Sequence, residues 1–420
     1  MIRSSVAKGT VVAPPSKSYT HRAMVLGALT HSPFQLKRPL VSEDTKATLE
    51  ALHAFGAEVA VRSGHVRIVC EELGRPRGVI DARNSGTTMR LMAGLASLLP
   101  SPTTLTGDAS LVRRPMGPLA DALVQLGARC SYIGAKGRPP LTICGPITGT
   151  SAEIAGDVSS QFVSSLLIAC TQKNGPTDVG LKGELTSRPY VDITLQMLKE
   201  FGGEVEETAG GFRVPGPQTL VKDSYTVPGD YSSAAFPLVA AAITGGDVTV
   251  RDLDPGSPQG DRAIVNHLDA FGARVIRGSD SIRVIGESLE GAEIDVRDTP
   301  DLFPVLAVLG AAADGKTVLT GGRNLREKES DRIATTTGFL SAMGARIVPT
   351  EDGCEVLGGE KLHGTAVDTH GDHRILMAAA VAALVSASET RIEDDESYGV
   401  SYPGFLRDMH QLGCRMEVRK

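Results

Sequence analysis

Six segments of this chain repeat one pattern of apolar and polar positions. They are LHAFGAEV (52–59), LVQLGARC (123–130), LKEFGGEV (198–205), LDAFGARV (268–275), LSAMGARI (340–347) and MHQLGCRM (409–416). Each carries an apolar residue four before a glycine, and Phe, Leu or Met directly before it. Residues at that spacing line one face of a helix. The glycine predicts a stop in the left-handed conformation, followed by a strand. The glycines fall at 56, 127, 202, 272, 344 and 413, in steps of 71, 75, 70, 72 and 69 residues. Spacing this regular over the whole chain argues against six unrelated helix ends and defines a sixfold repeat.

Ahead of the stop helices run Ala- and Leu-rich stretches: TTMRLMAGLASLL (87–99), SSLLIACT (164–171), SSAAFPLVAAAI (232–243), LFPVLAVLGAAA (302–313) and ILMAAAVAALV (375–385). They are apolar nearly all round, which predicts buried helices. Strands such as VTVRDL (248–253) and KTVLTGG (316–322) follow, so each unit reads as helix, strand, helix, strands, an α/β repeat. The buried helices open with PSKSYTHR (15–22), NSGTTMR (84–90), DVSSQF (157–162), GDYSSA (229–234), TPDLF (299–303) and THGDHR (369–374). Ser, Thr, Asn and Asp at these points predict N-caps. Several openings also carry Lys, Arg, Gln or His, which capping does not require. Helix N-termini attract anions, so several aimed into one cleft would form an anion trap.

Composition narrows the class. A chain of 420 residues predicts two or three domains, and 41% hydrophobic with 22% charged residues describes a soluble globular protein. Ten Phe, seven Tyr and no Trp leave a core of Ala, Val, Leu and Ile, and argue against stacking platforms for single-stranded nucleic acid. The 47 glycines are in excess, partly because six of them stop helices. A net charge of −6 speaks against a nucleic-acid footprint but allows a locally positive cleft for a small anion. Cysteines 70, 130, 144, 170, 354 and 414 form no CxxC pair, which predicts reduced thiols in a cytoplasmic protein. The start, MIRSSVAKGTVVAPPSKS, shows no apolar signal region, and no apolar run reaches 18 residues, so neither secretion nor a membrane span is expected.

Seven motifs stand in a fixed order: PPSKSYTHR (14–22), NSGTTMR (84–90), LTGDASLVRRPMGPL (105–119), SSQF (159–162), SRPYVDITLQML (187–198), KESDR (328–332) and GDHR (371–374), with SYPGF (401–405) beyond them. Together they resemble the 5-enolpyruvylshikimate-3-phosphate (EPSP) synthase family, collinearly over nearly the entire chain. The resemblance implies two similar domains of three βαβαββ units each, an inside-out α/β barrel fold. The chain would cross between domains near 12–15 and 227–229. This gives a discontinuous domain of 1–13 and 229–420 and a continuous one of 14–228. The active site would occupy the cleft, with hinge closure around the substrates. The implied reaction moves the carboxyvinyl group of phosphoenolpyruvate to the 5-hydroxyl of shikimate 3-phosphate and releases phosphate, within chorismate and aromatic amino-acid biosynthesis. It runs by addition and elimination through a tetrahedral intermediate, with no metal, no cofactor and no covalent enzyme intermediate. The expected partners are those two small substrates, with neither nucleic acid nor membrane, and the chain is expected to act as a monomer.

Two polyanionic substrates demand several cations, and arginine best of all for bidentate contact. Lys17, Arg22, Arg114, Lys328, Arg332 and Arg374 are the candidates. By resemblance, phosphoenolpyruvate is held by Lys17, Arg114, Arg332 and Arg374, with Gly86, Gln161 and His373 at its phosphate. Gly86 would leave room that a side chain would invade. Ser159, Ser160 and Ser187 match the 3-phosphate site, and Ser18 and Arg22 the shikimate carboxylate. Asp301, Asn324 and Lys328 match groups at the ring hydroxyls, Gln161 and Tyr190 flank the ring, and Lys17 serves this substrate as well. Proton transfer falls to Asp301, Glu329 and Lys17, with the individual steps unassigned.

Each motif has a plainer alternative. Lys17-Ser18 alone is an ordinary cap, KESDR alone a solvated turn in which Asp331 pairs locally, and Arg113 a surface neighbour of Arg114. His370 and His373 have metal-ligand spacing, but no further His or Cys accompanies them. The sister enzyme acting on UDP-N-acetylglucosamine pairs its lysine with Asn and carries a loop Cys near position 115. Here Lys is followed by Ser18, and 107–119 holds no Cys. A non-catalytic binding protein on this scaffold would have lost several of the six cations. Two positions depart from the family pattern: Val400 stands where many members carry a Lys, and Leu91 where many carry a Pro that bears on glyphosate sensitivity.

Overall fold

The computed structural model describes residues 1–418 other than Ser63 and Asp395. The six repeat glycines all hold positive φ, at 101° (Gly56), 98° (Gly127), 81° (Gly202), 88° (Gly272), 90° (Gly344) and 85° (Gly413). In every copy the N–H after the glycine donates to the carbonyl of the apolar residue four before it, as from Ala57 to Leu52 and from Cys414 to Met409. This is a Schellman turn, and it is why an achiral residue recurs there. The apolar pair of each stop is buried, from Leu52 and Phe55 to Met409 and Leu412.

The chain divides into two compact units, Pro15–Val227 and Met1–Pro14 with the chain from Pro228 onward. Each repeat has a buried helix followed by a stop helix. Pro15–Val227 contains α1 (Lys17–Ala28) and α2 (Glu43–Ala54), α3 (Gly86–Ala96) and α4 (Gly117–Gln125), then α5 (Ser160–Gln172) and α6 (Arg188–Glu200). The other unit contains α7 (Tyr231–Ile243) and α8 (Ile264–Ala270), α9 (Phe303–Ala312) and α10 (Arg332–Ala342), then α11 (His373–Ala383) and α12 (Phe405–Gln411). Helices α7, α9 and α11 are buried on almost all sides, as their composition predicts. Small residues permit close packing: a Cβ on Gly94 of α3 would lie 2.6 Å from Ser165 Oγ of α5.

The third repeat shows the sheet pattern whole. Strand 151–155 runs parallel to 177–182, which pairs antiparallel with 211–214 and that in turn with 206–208. The first repeat borrows its parallel strand from the end of the unit, 224–226 beside 34–37 with Tyr225 opposite Leu36. The fourth borrows from the N-terminus, 8–12 beside 247–251. In the sixth, 2–3 pairs with 415–416 and Ile2 bridges to Thr390. The N-terminal segment thus serves two repeats, and that makes its unit discontinuous. Strands end a little earlier than the sequence suggests, at Arg251 and Thr320. Two of the expected caps are not made. Ser16 precedes α1 without a side-chain cap bond. At TPDLF, Pro300–Leu302 forms a 3-10 turn in which Thr299 does not cap, so α9 begins only at Phe303.

No helix among the described residues is long and apolar enough to cross a membrane. All six cysteines are free, five buried and Cys130 half-buried.

Candidate active site

In Pro15–Val227 the sequence motifs gather at the N-terminal ends of α1, α3 and α5. Arg22, one turn into α1, is buried, and its bonds go to neutral groups. Nε donates to Thr194 Oγ1 (2.7 Å), Nη1 to the Ser18 carbonyl (3.0 Å), and Nη2 to the Tyr190 carbonyl (3.0 Å) and Ser164 Oγ (3.3 Å). Burial pushes this guanidinium down to about 10, still charged at neutral pH. A buried cation held by hydroxyls and carbonyls favours an anionic ligand. Ser18, Arg22 and Tyr190 are therefore brought together.

Gly86, Arg114 and Gln161 form a second group. Arg114 is buried beside exposed Arg113, and its Nη2 donates to Asn84 Oδ1 at 2.8 Å. Asn84 donates to Asp108 Oδ2 (2.7 Å), and Asp108 also caps the turn that carries Arg114. Gln161 joins α5 to α3, donating to Thr87 Oγ1 and accepting from Arg90 Nη1, both at 2.9 Å. Ser159 caps α5 through the Gln161 N–H. Ser160, beside it in the first turn, is buried. Ser187, at the start of α6, holds a left-handed φ of 56°, a strained conformation of the kind that clusters at functional sites. Lys17 pairs with Asp44 of α2 at 3.0 Å.

In the unit containing α7 to α12, Asp372 joins KESDR to GDHR. It accepts from Arg332 Nε (2.9 Å), from Ser330 Oγ (3.1 Å) and from the Arg374 N–H (2.9 Å), which it caps. Arg332 also donates to Asp301 Oδ1 (2.8 Å) and Glu329 Oε2 (2.7 Å). Burial lowers Arg332, but Asp372, Glu329 and Asp301 outweigh it and hold the guanidinium well above the usual arginine value. Arg374 donates Nη2 to Asp301 Oδ2 at 3.0 Å, while its Nε and Nη1 are buried with no hydrogen-bond partner. Burial raises Asp301, but Arg374, Arg332 and Lys328 outweigh it and hold the carboxyl well below the usual range. Asn324 lies in the 3-10 turn Arg323–Glu327, with Lys328 and Glu329 directly after it. His373 is buried in the first turn of α11. Asp331 does pair locally, capping α10 and taking Arg326 at 2.8 Å. His370 is exposed beside Asp368, and no group of three or more His, Cys, Asp or Glu able to hold a metal occurs among the described residues.

The sequence model of EPSP synthase (3-phosphoshikimate 1-carboxyvinyltransferase) matches residues 3–409. The chain belongs to the EPSP synthase family. It is 46% identical over 419 residues to the 3-phosphoshikimate 1-carboxyvinyltransferase of Methanocorpusculum labreanum, covering 99% of both chains. It is 48% identical over 420 residues to that of Methanothrix thermoacetophila, covering 99% of this chain and 98% of the relative. Among solved structures it is similar to EPSP synthase from Acinetobacter baumannii, with a TM-score of 0.83, 32% identity and coverage of 100% of this chain and 99% of that one. The inside-out α/β fold expected from the motifs is that of this family.

Four residues near these groups carried no role in the sequence reading: Asp44, Arg90, Asp261 and Asp372. Arg90 left a trace, being one turn after Gly86 in the same motif. A Cβ on Gly86 would lie 2.0 Å from Arg90 Nη1 and 3.3 Å from Arg114 Nη1, so the glycine makes room for a protein guanidinium. Arg90 lies over the Phe162 ring, 5.6 Å from its centroid. Asp372 sits inside GDHR, but its role depends on a loop 40 residues earlier. Of the two departures from the family pattern, Leu91 is buried in α3 and Val400 ends the half-buried turn Ser397–Val400.

Proposed function

We propose that this chain transfers the enolpyruvyl group of phosphoenolpyruvate to the 5-hydroxyl of shikimate 3-phosphate, releasing inorganic phosphate. The observation that carries this reading is Arg22, a buried cation bonded only to neutral groups. It suits the carboxylate of shikimate 3-phosphate, with Ser18 beside it. Ser159, Ser160 and Ser187 then take the 3-phosphate, while Gln161 and Tyr190 flank the ring. Asp301, Asn324 and Lys328 meet the ring hydroxyls, and Lys17 serves both substrates. Arg114, Arg332 and Arg374 hold phosphoenolpyruvate, with Gly86, Gln161 and His373 at its phosphate. The unbonded Nε and Nη1 of Arg374 support that assignment.

Addition joins the 5-hydroxyl oxygen to C2 of phosphoenolpyruvate, protonating the methylene carbon and removing the hydroxyl proton. Elimination takes a proton back from the new methyl group and breaks the C2–O bond to phosphate, which leaves. Asp301, kept ionised by two arginines, suits the hydroxyl proton, and Glu329 or Lys17 the carbon. The arginines stabilise the charge that develops as phosphate leaves. Six free thiols suit a reducing cytoplasm, and we read the chain as acting as a monomer there.

Phosphate release on mixing the protein with both substrates tests the reaction. Silence with that pair, but turnover with UDP-N-acetylglucosamine, overturns it. Lys17→Ala and Arg114→Ala should each lose phosphoenolpyruvate binding while keeping a native circular dichroism spectrum. Wild-type kinetics in either would remove that residue from the clamp.

A further inference from the structure

Asp261 lies outside every motif above, in the 3-10 turn Gly260–Ala263, and it is buried. No hydrogen bond of ordinary geometry reaches either of its carboxylate oxygens. Its charged surroundings come from several elements of one unit. The start of α7 brings Asp230 and the Ser232 hydroxyl, the turn before α9 brings Asp301, and α11 brings Arg374. Helix α8 packs on the same turn and carries His267, which burial lowers and keeps neutral, and exposed Asp269, paired with Arg277. Arg262, next to Asp261, is exposed and bonded to the Pro255 carbonyl.

Asp301 and Asp261 differ in their bonding. Two guanidiniums donate to Asp301, at 2.8 and 3.0 Å, which commits it as the anion. Asp261 has no such donor, so a proton entering this pair goes to Asp261. Burial first, and the Asp301 charge second, push its carboxyl up, while Arg374 offsets them. That offset is open to a ligand, because the buried Nε and Nη1 of Arg374 have no protein partner. An anion arriving there adds negative charge to a cluster that already holds three aspartates.

We propose that Asp261 takes up a proton as an anion seats against Arg374, linking ligand binding to proton binding through one buried carboxyl. The proton comes from solvent and forms one O–H bond, and no other bond changes. The proposal rests on the reading that phosphoenolpyruvate is that anion.

Calorimetric titration of phosphoenolpyruvate into protein saturated with 5-deoxyshikimate 3-phosphate, which lacks the hydroxyl that reacts, repeated in buffers of different ionisation enthalpy, counts the protons. Wild type should take up more than D261N, with the excess growing from about pH 6 to about pH 8 as the empty site loses its proton. The wild-type infrared difference spectrum should also gain a protonated-carboxyl C=O band on ligand addition, which keeps the test open if D261N does not fold. Equal uptake by the two proteins across this range, or no such band, overturns the proposal. Binding without excess uptake overturns it alone. Absence of phosphoenolpyruvate binding overturns the functional reading with it.

Discussion

Asp301 and Arg374 meet through one hydrogen bond of 3.0 Å, and the remaining buried nitrogens of that guanidinium, Nε and Nη1, bond to nothing in the protein. The carboxylate aims the arginine without saturating it. Asp301→Asn should therefore fold, because Arg332 keeps Glu329 and Asp372 as partners. It should nevertheless lower kcat by roughly 10²- to 10⁴-fold, the usual range for loss of a positioned proton-transfer group. Steady-state kinetics beside a denaturation curve checks this, and a change confined to KM would assign Asp301 to binding alone.

Arg22 gives the opposite balance of stability and binding. Its charge is buried among neutral partners, so Arg22→Met should unfold at an equal or higher denaturant concentration than wild type. Its affinity for shikimate 3-phosphate should fall by about 1.5–3 kcal/mol, roughly 10- to 150-fold, as expected for a lost charge-assisted bond. Equilibrium binding decides it, and unchanged affinity would remove Arg22 from the substrate site.

Gly86→Ala should act through Arg90. The new methyl displaces a guanidinium that is tied to Gln161 at 2.9 Å and seated on Phe162. We expect a higher KM for phosphoenolpyruvate and little change in that for shikimate 3-phosphate. Shortening the displaced side chain in Gly86→Ala/Arg90→Lys should recover part of the loss. If the double variant is no better than the single one, the glycine serves the substrate directly.

The pH dependence of stability separates the two coupled aspartates. Asp301 is held down by its arginines after burial is outweighed, so its contribution is present at neutral pH and lost as pH falls below about 4, where unfolded aspartates protonate. Asp261 is pushed up by burial and by Asp301, so the folded state keeps a proton that the unfolded chain releases. Its contribution is full below about pH 4 and is lost as pH rises through the raised folded value. Asp261→Asn should thus gain stability relative to wild type across that window and hold the gain at higher pH. Urea denaturation at a series of pH values would show it, and a constant difference would contradict the assignment.

Gly202→Ala tests the helix stops without touching the site. At φ 81° the nearest atoms to an added Cβ are 3.9 and 4.0 Å away, so the cost is backbone strain rather than collision. We expect about 1–2 kcal/mol of lost stability with unchanged kinetics. Thermal unfolding and a single assay suffice.

The repeat was legible because each copy needs the same three things locally: an apolar pair on one helical face, a residue free to adopt positive φ, and a strand. The cations were legible as motifs. Some of their neighbours were not, because Asp44 and Asp372 pair with Lys17 and Arg332, and Asp261 comes near Arg374, only once segments distant in sequence have packed. The small strands at 2–3 and 415–416 escaped for the same reason, being defined by pairing and not by composition. Thr299 looks like a cap in the sequence, yet the tight turn at Pro300 takes its place.

The borrowed N-terminal strands also set an order for biosynthesis. A ribosome has released every strand of Pro15–Val227 once 224–226 emerges, and that unit can close during translation. Residues 8–12 must wait for 247–251, and 2–3 for 415–416 at the far end of the chain. These strands are synthesised before the partners that place them, and they wait unpaired while the whole of Pro15–Val227 is made.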